Sequence, residues 1–188
     1  MNVRRFANEE ERRATINRDV IERLKAQAVK PRGLIKGTFE GSVYVQSIYD
    51  NDNTRLAVRA NNREERAKYA GQSIIVGAPM KNFKYTDADI PQDFKYMSAT
   101  NITATSPAAA DLIAYRMNAN LSAGGVEGLL SAAIARPSAA SIIFLGLWGS
   151  ETAMKANGTI KSTKKPDFEE LIVEQRTQYS TDAQFARL

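Results

Sequence analysis

The sequence contains neither cysteine nor histidine. Without cysteine there is no disulfide, no thiolate nucleophile and no Cys-ligated metal. Without histidine there is no Ser-His-Asp triad, no HExxH zinc site and no haem held through imidazole. Acid–base work is left to carboxylates, lysine and tyrosine, a less common arrangement. The nucleotide signatures are missing too. "SAGGVEG" lacks the GK[ST] ending that holds phosphate and metal, and no GxGxxG occurs. On these absences the chain reads as something other than an enzyme, with no catalytic centre, no bound metal and no cofactor.

A membrane-length apolar run is absent as well. The richest stretch, "GLLSAAIARPSAASIIFLGLWGSE", is split by Arg136 and Pro137. The uncharged part that follows falls short of the roughly twenty residues a span needs. The N-terminus "MNVRRFANEEERR" has no apolar core after its arginines and does not read as a secretory signal.

What is present begins with an uneven charge. The net charge is +5, and the whole excess lies in residues 1–36. Asn8 is placed to cap a helix whose first turn holds Glu9, Glu10 and Glu11, with Glu11 completing a capping box. Ile16, Val20, Ile21 and Leu24 form its apolar stripe, and Pro31 and Gly33 end it. The reading is a basic helical arm, residues 1–36, made to lie on an acidic partner.

Residues 37–105 read as β-rich. Phe39, Val43, Val45 and Tyr49 share one side of a two-residue alternation, "DNDNT" supplies a turn, and "RLAVRA" returns with Arg55 and Arg59 on one face. A short helix and the strand "QSIIVGAP" complete a β-β-α-β unit, and "FKYMSATNITA" is strand-like. Residues 106–188 read as helical: Ser106-Pro107 opens one helix, Ser122 a second, Pro137 a third and Pro166 a fourth. The expected fold is therefore α+β: a basic arm, a small sheet, and a C-terminal bundle of about four helices that forms one body with the sheet region.

"SIIFLGLW" is apolar around most of a helix circumference, so as a helix it must be covered on most sides. A neighbouring subunit is a natural cover. The resulting expectation is a structural subunit of a large homomeric assembly, a viral or phage virion protein of coat, capsid or connector type, assembled in the host cytoplasm. Its partners would be copies of itself, other structural proteins of the particle, and nucleic acid. Arg4, Arg5, Arg12, Arg13, Arg55 and Arg59 would meet nucleic acid or an acidic partner; Ile16, Val20, Leu24, Phe144, Leu147 and Trp148 would form the subunit interface. Two alternatives stand beside it. One is a nucleic-acid-binding protein that uses the arm and the Arg55/Arg59 pair. The other is an enzyme of unspecified type that uses the acidic loop Asp87–Asp93, where Asp87, Asp89 and Asp93 cluster.

Overall fold

The computed structural model describes residues 2–49, 51–61, 73–74, 95–122, 126–158 and 166–188. The chain forms two compact units, Met1–Ile74 with Ala183–Leu188, and Ile75–Asp182.

The first unit starts with a strand where a helical arm was expected. Strand β1 (Asn2–Phe6) is followed by helices α1 (Glu9–Thr15) and α2 (Arg18–Ala26), strands β2 (Gly33–Phe39) and β3 (Ser42–Ile48), helix α3 (Asp52–Asn61) and the short strand β4 (Ser73–Ile74). The last strand of the chain, β9 (Gln184–Arg187), joins the same sheet, whose order is β4-β1-β3-β2-β9. The expected cap is present, with Asn8 Oδ1 accepting from Glu11 N at 2.9 Å, but Glu11 Oε2 reaches back one residue further than a capping box, accepting from Ala7 N at 2.6 Å. The single long helix is not. It stops at Ile16, and Asn17 caps a new helix by accepting from Val20 N at 3.0 Å. An asparagine competing for local backbone donors ends one helix as readily as it starts another. No arm extends from residues 1–36, because β1 lies inside the sheet between β4 and β3.

The hairpin is also displaced from its expected place. Strands β2 and β3 pair antiparallel from Gly33↔Ile48 to Phe39↔Ser42, so Glu40 and Gly41 make the turn. Gly41 takes φ +69°, a left-handed conformation that glycine adopts without steric cost. "DNDNT" instead starts a helix, with Asn51 Oδ1 accepting from Thr54 N at 2.9 Å. Arg55 and Arg59 therefore lie on α3 and not on a strand.

The second unit overturns the four-helix bundle. It runs β5 (Tyr96–Ala104), α4 (Pro107–Ser122), β6 (Leu129–Ser138), β7 (Ser141–Trp148), α5 (Glu151–Asn157), α6 (Pro166–Glu169) and β8 (Ile172–Ser180). The sheet order is β6-β7-β5-β8, antiparallel throughout. Only the Ser106-Pro107 start gives a long helix, with Ser106 Oγ accepting from Ala109 N at 3.1 Å. The stretch read as the second helix, from Leu129 on, and the first part of the third, to Trp148, are the β6–β7 hairpin; the end of the third, Glu151–Asn157, is helical as expected, and most of the fourth is β8. Pro137 sits in β6, an edge strand, inside a register shift between Ala135 and Ser138. That is where a sheet tolerates proline, so it breaks nothing.

The run "SIIFLGLW" is apolar all round because both faces of its sheet are covered. On one face Ile102, Ile134, Ile142 and Phe144 pack with Ile113, Met117 and Leu121 of α4 and with Phe168. On the other, Met97, Ala99, Ala133, Ile143, Leu145 and Leu147 are buried as well. A strand buried on both faces loses its alternation and cannot be told from a buried helix by periodicity.

Numbered within each unit, the strands of both sheets follow the order 4-1-3-2, with β9 added beyond β2 in the first, so the split β-α-β arrangement occurs twice along the chain.

Candidate active site

In the first unit charge accumulates on the sheet face that meets the helices. Alternation along β2 puts Leu34, Lys36 and Thr38 on one face, and Leu34 packs in a core with Phe6, Ile16, Val43 and Val45. Lys36 is thus a lysine on a core-facing row, and Glu9 at the start of α1 meets it: Lys36 Nζ donates to Glu9 Oε1 at 3.3 Å. Arg12, one turn along α1, closes on the same carboxylate with two bonds, Nη2 to Oε1 at 2.5 Å and Nε to Oε2 at 3.2 Å, and Nη1 donates to Ile16 O at 3.0 Å. Arg13 Nε reaches Glu9 Oε1 at 3.3 Å from the exposed side. The Arg12 and Lys36 side chains are 16% and 22% exposed.

These cations set the acidity of Glu9. The Arg12 hydrogen bonds, with a smaller contribution from Lys36, outweigh partial burial and pull its pKa from 4.5 to about 2. So weakly basic a carboxylate is no proton acceptor at neutral pH. Its role is to hold Arg12 and Lys36 in place. Three cations, Arg12, Arg13 and Lys36, gather on this one carboxylate. Helix α2 has no fully buried residue; Ile21 packs against the core, and Val20 and Leu24 are half-buried.

The second unit has polar groups in its helix-facing layer, but they are closed on one another. Trp148 Nε1 donates to Ser98 Oγ at 2.9 Å, and Thr100 Oγ1 bonds Thr177 Oγ1 at 3.0 Å and Gly158 O at 3.3 Å.

Of the residues expected to meet a partner, the structure brings Arg12 and Arg13 together on Glu9. Arg4 is half-buried and Arg5 exposed, on opposite faces of β1. Arg55 is half-buried on α3, and the Arg59 side chain lies outside the described residues. Of the expected interface residues, Ile16, Phe144, Leu147 and Trp148 are buried within the chain itself, so their burial asks for no neighbouring copy. Asp87, Asp89 and Asp93 lie outside the described residues. Among the described residues no group of three or more carboxylates is placed to hold a metal, and no helix is long and apolar enough to cross a membrane. Lys36 escaped the sequence reading because β2 was expected to begin at Gly37. Glu9 was seen only as a first-turn acid.

The doubled split β-α-β fold has known counterparts. A candidate monooxygenase from Fusobacterium nucleatum matches with a TM-score of 0.60 at 13% identity, covering 99% of this chain and 93% of the other. An anthrone oxidase-like protein matches at 0.52 and 11%, covering 99% and 91%. A candidate monooxygenase from Lactobacillus acidophilus matches at 0.51 and 11%, covering 99% and 94%. No protein-family model matches the chain, and no curated protein sequence does.

These likenesses correct the functional expectation. A virion coat, capsid or connector subunit, non-enzymatic and located in a particle, does not fit a fold shared end to end with proteins named for oxidative enzymes, two of them bacterial. The physical premise of that expectation fails as well. The apolar run that called for a neighbour is a strand, covered inside one chain.

Proposed function

We propose that the chain is an oxidative enzyme of the monooxygenase type, acting on a small acidic aromatic compound bound as its anion beside Arg12 and Lys36. The observation that carries this reading is the whole-chain likeness to the candidate monooxygenases and the anthrone oxidase-like protein. The charged cluster of the first unit supports it as the anion-holding group.

The chemistry balances for an anthrone. Its ring methylene becomes a carbonyl, one atom of O2 enters the product, the other leaves as water, and all the electrons come from the substrate. The electron-rich species is the deprotonated substrate. Fixed cations in a half-buried site favour that anion more strongly than water does. Arg12 and Lys36 supply this stabilisation, Glu9 orients them, and the half-buried apolar side chains Val20, Ile21 and Leu24 offer contact to an aromatic body.

Oxygen uptake with 1,8-dihydroxyanthrone tests the reading. The protein is expected to consume O2 faster than the uncatalysed autoxidation, forming the anthraquinone in equal amount. A rate no greater than autoxidation across neutral pH, for this and other acidic phenols, would sink it.

A further inference from the structure

Strand β8 ends the second sheet: β5 pairs with one side of it, and among the described residues no strand pairs with the other. Which backbone groups face that outer side follows from the ladder. Thr105 N donates to Leu171 O, and Ala104 N donates to Ala140 O, so odd-numbered residues of β5 turn their backbone groups toward β8 and even-numbered ones away from it. Ala99, Asn101 and Thr103 lie opposite Gln178, Arg176 and Glu174. These three residues of β8 therefore bond to β5, and Gln175 and Thr177 between them turn their N–H and C=O groups outward.

Such an edge is a template for another strand, and proteins often block one with charge. The charges here form a self-complementary pattern instead. Glu174 and Arg176 are both exposed, opposite in sign, and two residues apart, so they share one face of the strand. A second copy adding antiparallel about a two-fold axis must set outward groups against outward groups, which puts the axis on a residue. An axis at Glu174 sets carboxylate against carboxylate, and one at Arg176 sets guanidinium against guanidinium. Axes at Val173 or Thr177 pair neither charge with the other. An axis at Gln175 sets Glu174 opposite the partner's Arg176, and Arg176 opposite the partner's Glu174. Opposite charges directly across a strand pair stabilise it, and like charges destabilise it. The same register covers an apolar side chain: Val173, 68% exposed and with no partner on β5, comes beside the partner's Thr177. The bulge at Val173 ends the ladder there, so the shared segment is short and the association weak.

We infer that β8 is a self-association surface, along which two copies of this chain pair antiparallel about a two-fold axis at Gln175. The inference does not depend on what binds beside Lys36.

Sedimentation equilibrium of the full chain over a hundredfold range of concentration tests it. A reversible monomer–dimer equilibrium is expected, weakening with added salt because the ion pairs are exposed. Glu174→Arg or Arg176→Glu alone sets like charges against each other and should weaken the dimer about tenfold or more. Mixing these two variants should restore association, since one chain then carries both cations and the other both anions. Gln175→Pro removes the outward N–H at the axis, on an edge strand where proline is tolerated, and should abolish the dimer. Thermal melts show which variants are folded. A chain that stays monomeric throughout, a dimer that Gln175→Pro leaves unchanged, or mixed variants that associate no better than each alone overturns the inference.

Discussion

Lys36 Nζ lies 3.3 Å from Glu9 Oε1 across 27 positions of chain. This contact ties the first turn of α1 to the middle of β2, and with Arg12 it holds the Glu9 pKa at about 2. A carboxylate whose folded pKa is depressed contributes stability that is fully present above its unfolded pKa and is lost as pH falls through the folded one. The window is therefore pH 4.5 down to about 2. Urea midpoints measured across this range should fall with pH, and Glu9→Gln should flatten that decline. At pH 7 the substitution should cost on the order of 1 kcal/mol, since the pair is partly solvated and screened. An unchanged acid limb in Glu9→Gln would show that other carboxylates govern it.

The second unit offers its own probe. Trp148 is the single tryptophan, and it is 1% exposed. Its indole N–H is bonded to Ser98 Oγ, which is itself fully buried. Ser98→Ala leaves that donor buried without its partner, at a cost of about 1–3 kcal/mol. The melting temperature should drop and the tryptophan emission should change, reporting the same residue twice. Wild-type stability in Ser98→Ala would mean that another acceptor takes over the indole.

What the sequence disclosed and what it hid follow from the same physics. Caps are local, so Asn8 with Glu11 and Ser106 with Pro107 were legible as helix starts and are found there. The strand "YMSATNITA" was legible from its β-rich composition. The hairpin β6–β7 was not, because burial on both faces erases the alternation that would separate strand from helix. Strand β8 was read as a helix from Phe168, Leu171 and Ile172, yet only Phe168 lies in a helix. The repeat was invisible because it lives in strand order and not in residue identity. The site was the least legible part. Glu9 and Lys36 are joined only by the sheet, and each alone has an ordinary local explanation.

Phe144 separates the one-chain core from the interface once expected there. It is 1% exposed and packs with α4 inside its own unit. Phe144→Ala should cost about 3–5 kcal/mol of unfolding free energy, the range for a buried aromatic truncated to alanine. Because the contacts are internal, the loss should not depend on protein concentration. Denaturation curves at two concentrations a hundredfold apart check this. A cost that appears only at high concentration would return Phe144 to a subunit interface.

Gly41 isolates a backbone effect from packing. Its φ is +69°, and a Cβ added there would meet nothing within 4 Å. Gly41→Ala should therefore cost about 1 kcal/mol through the left-handed conformation alone, and Gly41→Asn less, since asparagine visits that region more readily. Chemical denaturation of the two variants gives the difference. Equal losses would mean that side-chain contacts, and not φ, set the cost of this turn.

The activity prediction turns on the order of effects within the cluster. Lys36 and Arg12 would touch the substrate anion, whereas Glu9 acts by placing them. Lys36→Met should lower kcat/KM with 1,8-dihydroxyanthrone roughly tenfold to a hundredfold, the scale of one charge-assisted contact in the transition state. Glu9→Gln keeps the cations and removes the negative charge that competes with the substrate. Binding of an anion should then tighten or hold, while the rate falls because Arg12 and Lys36 are no longer fixed. A fall in KM together with a fall in kcat is the signature of a positioning carboxylate. If Glu9→Gln instead raises KM and leaves kcat unchanged, Glu9 touches the substrate directly and its assignment as an orienting group is wrong.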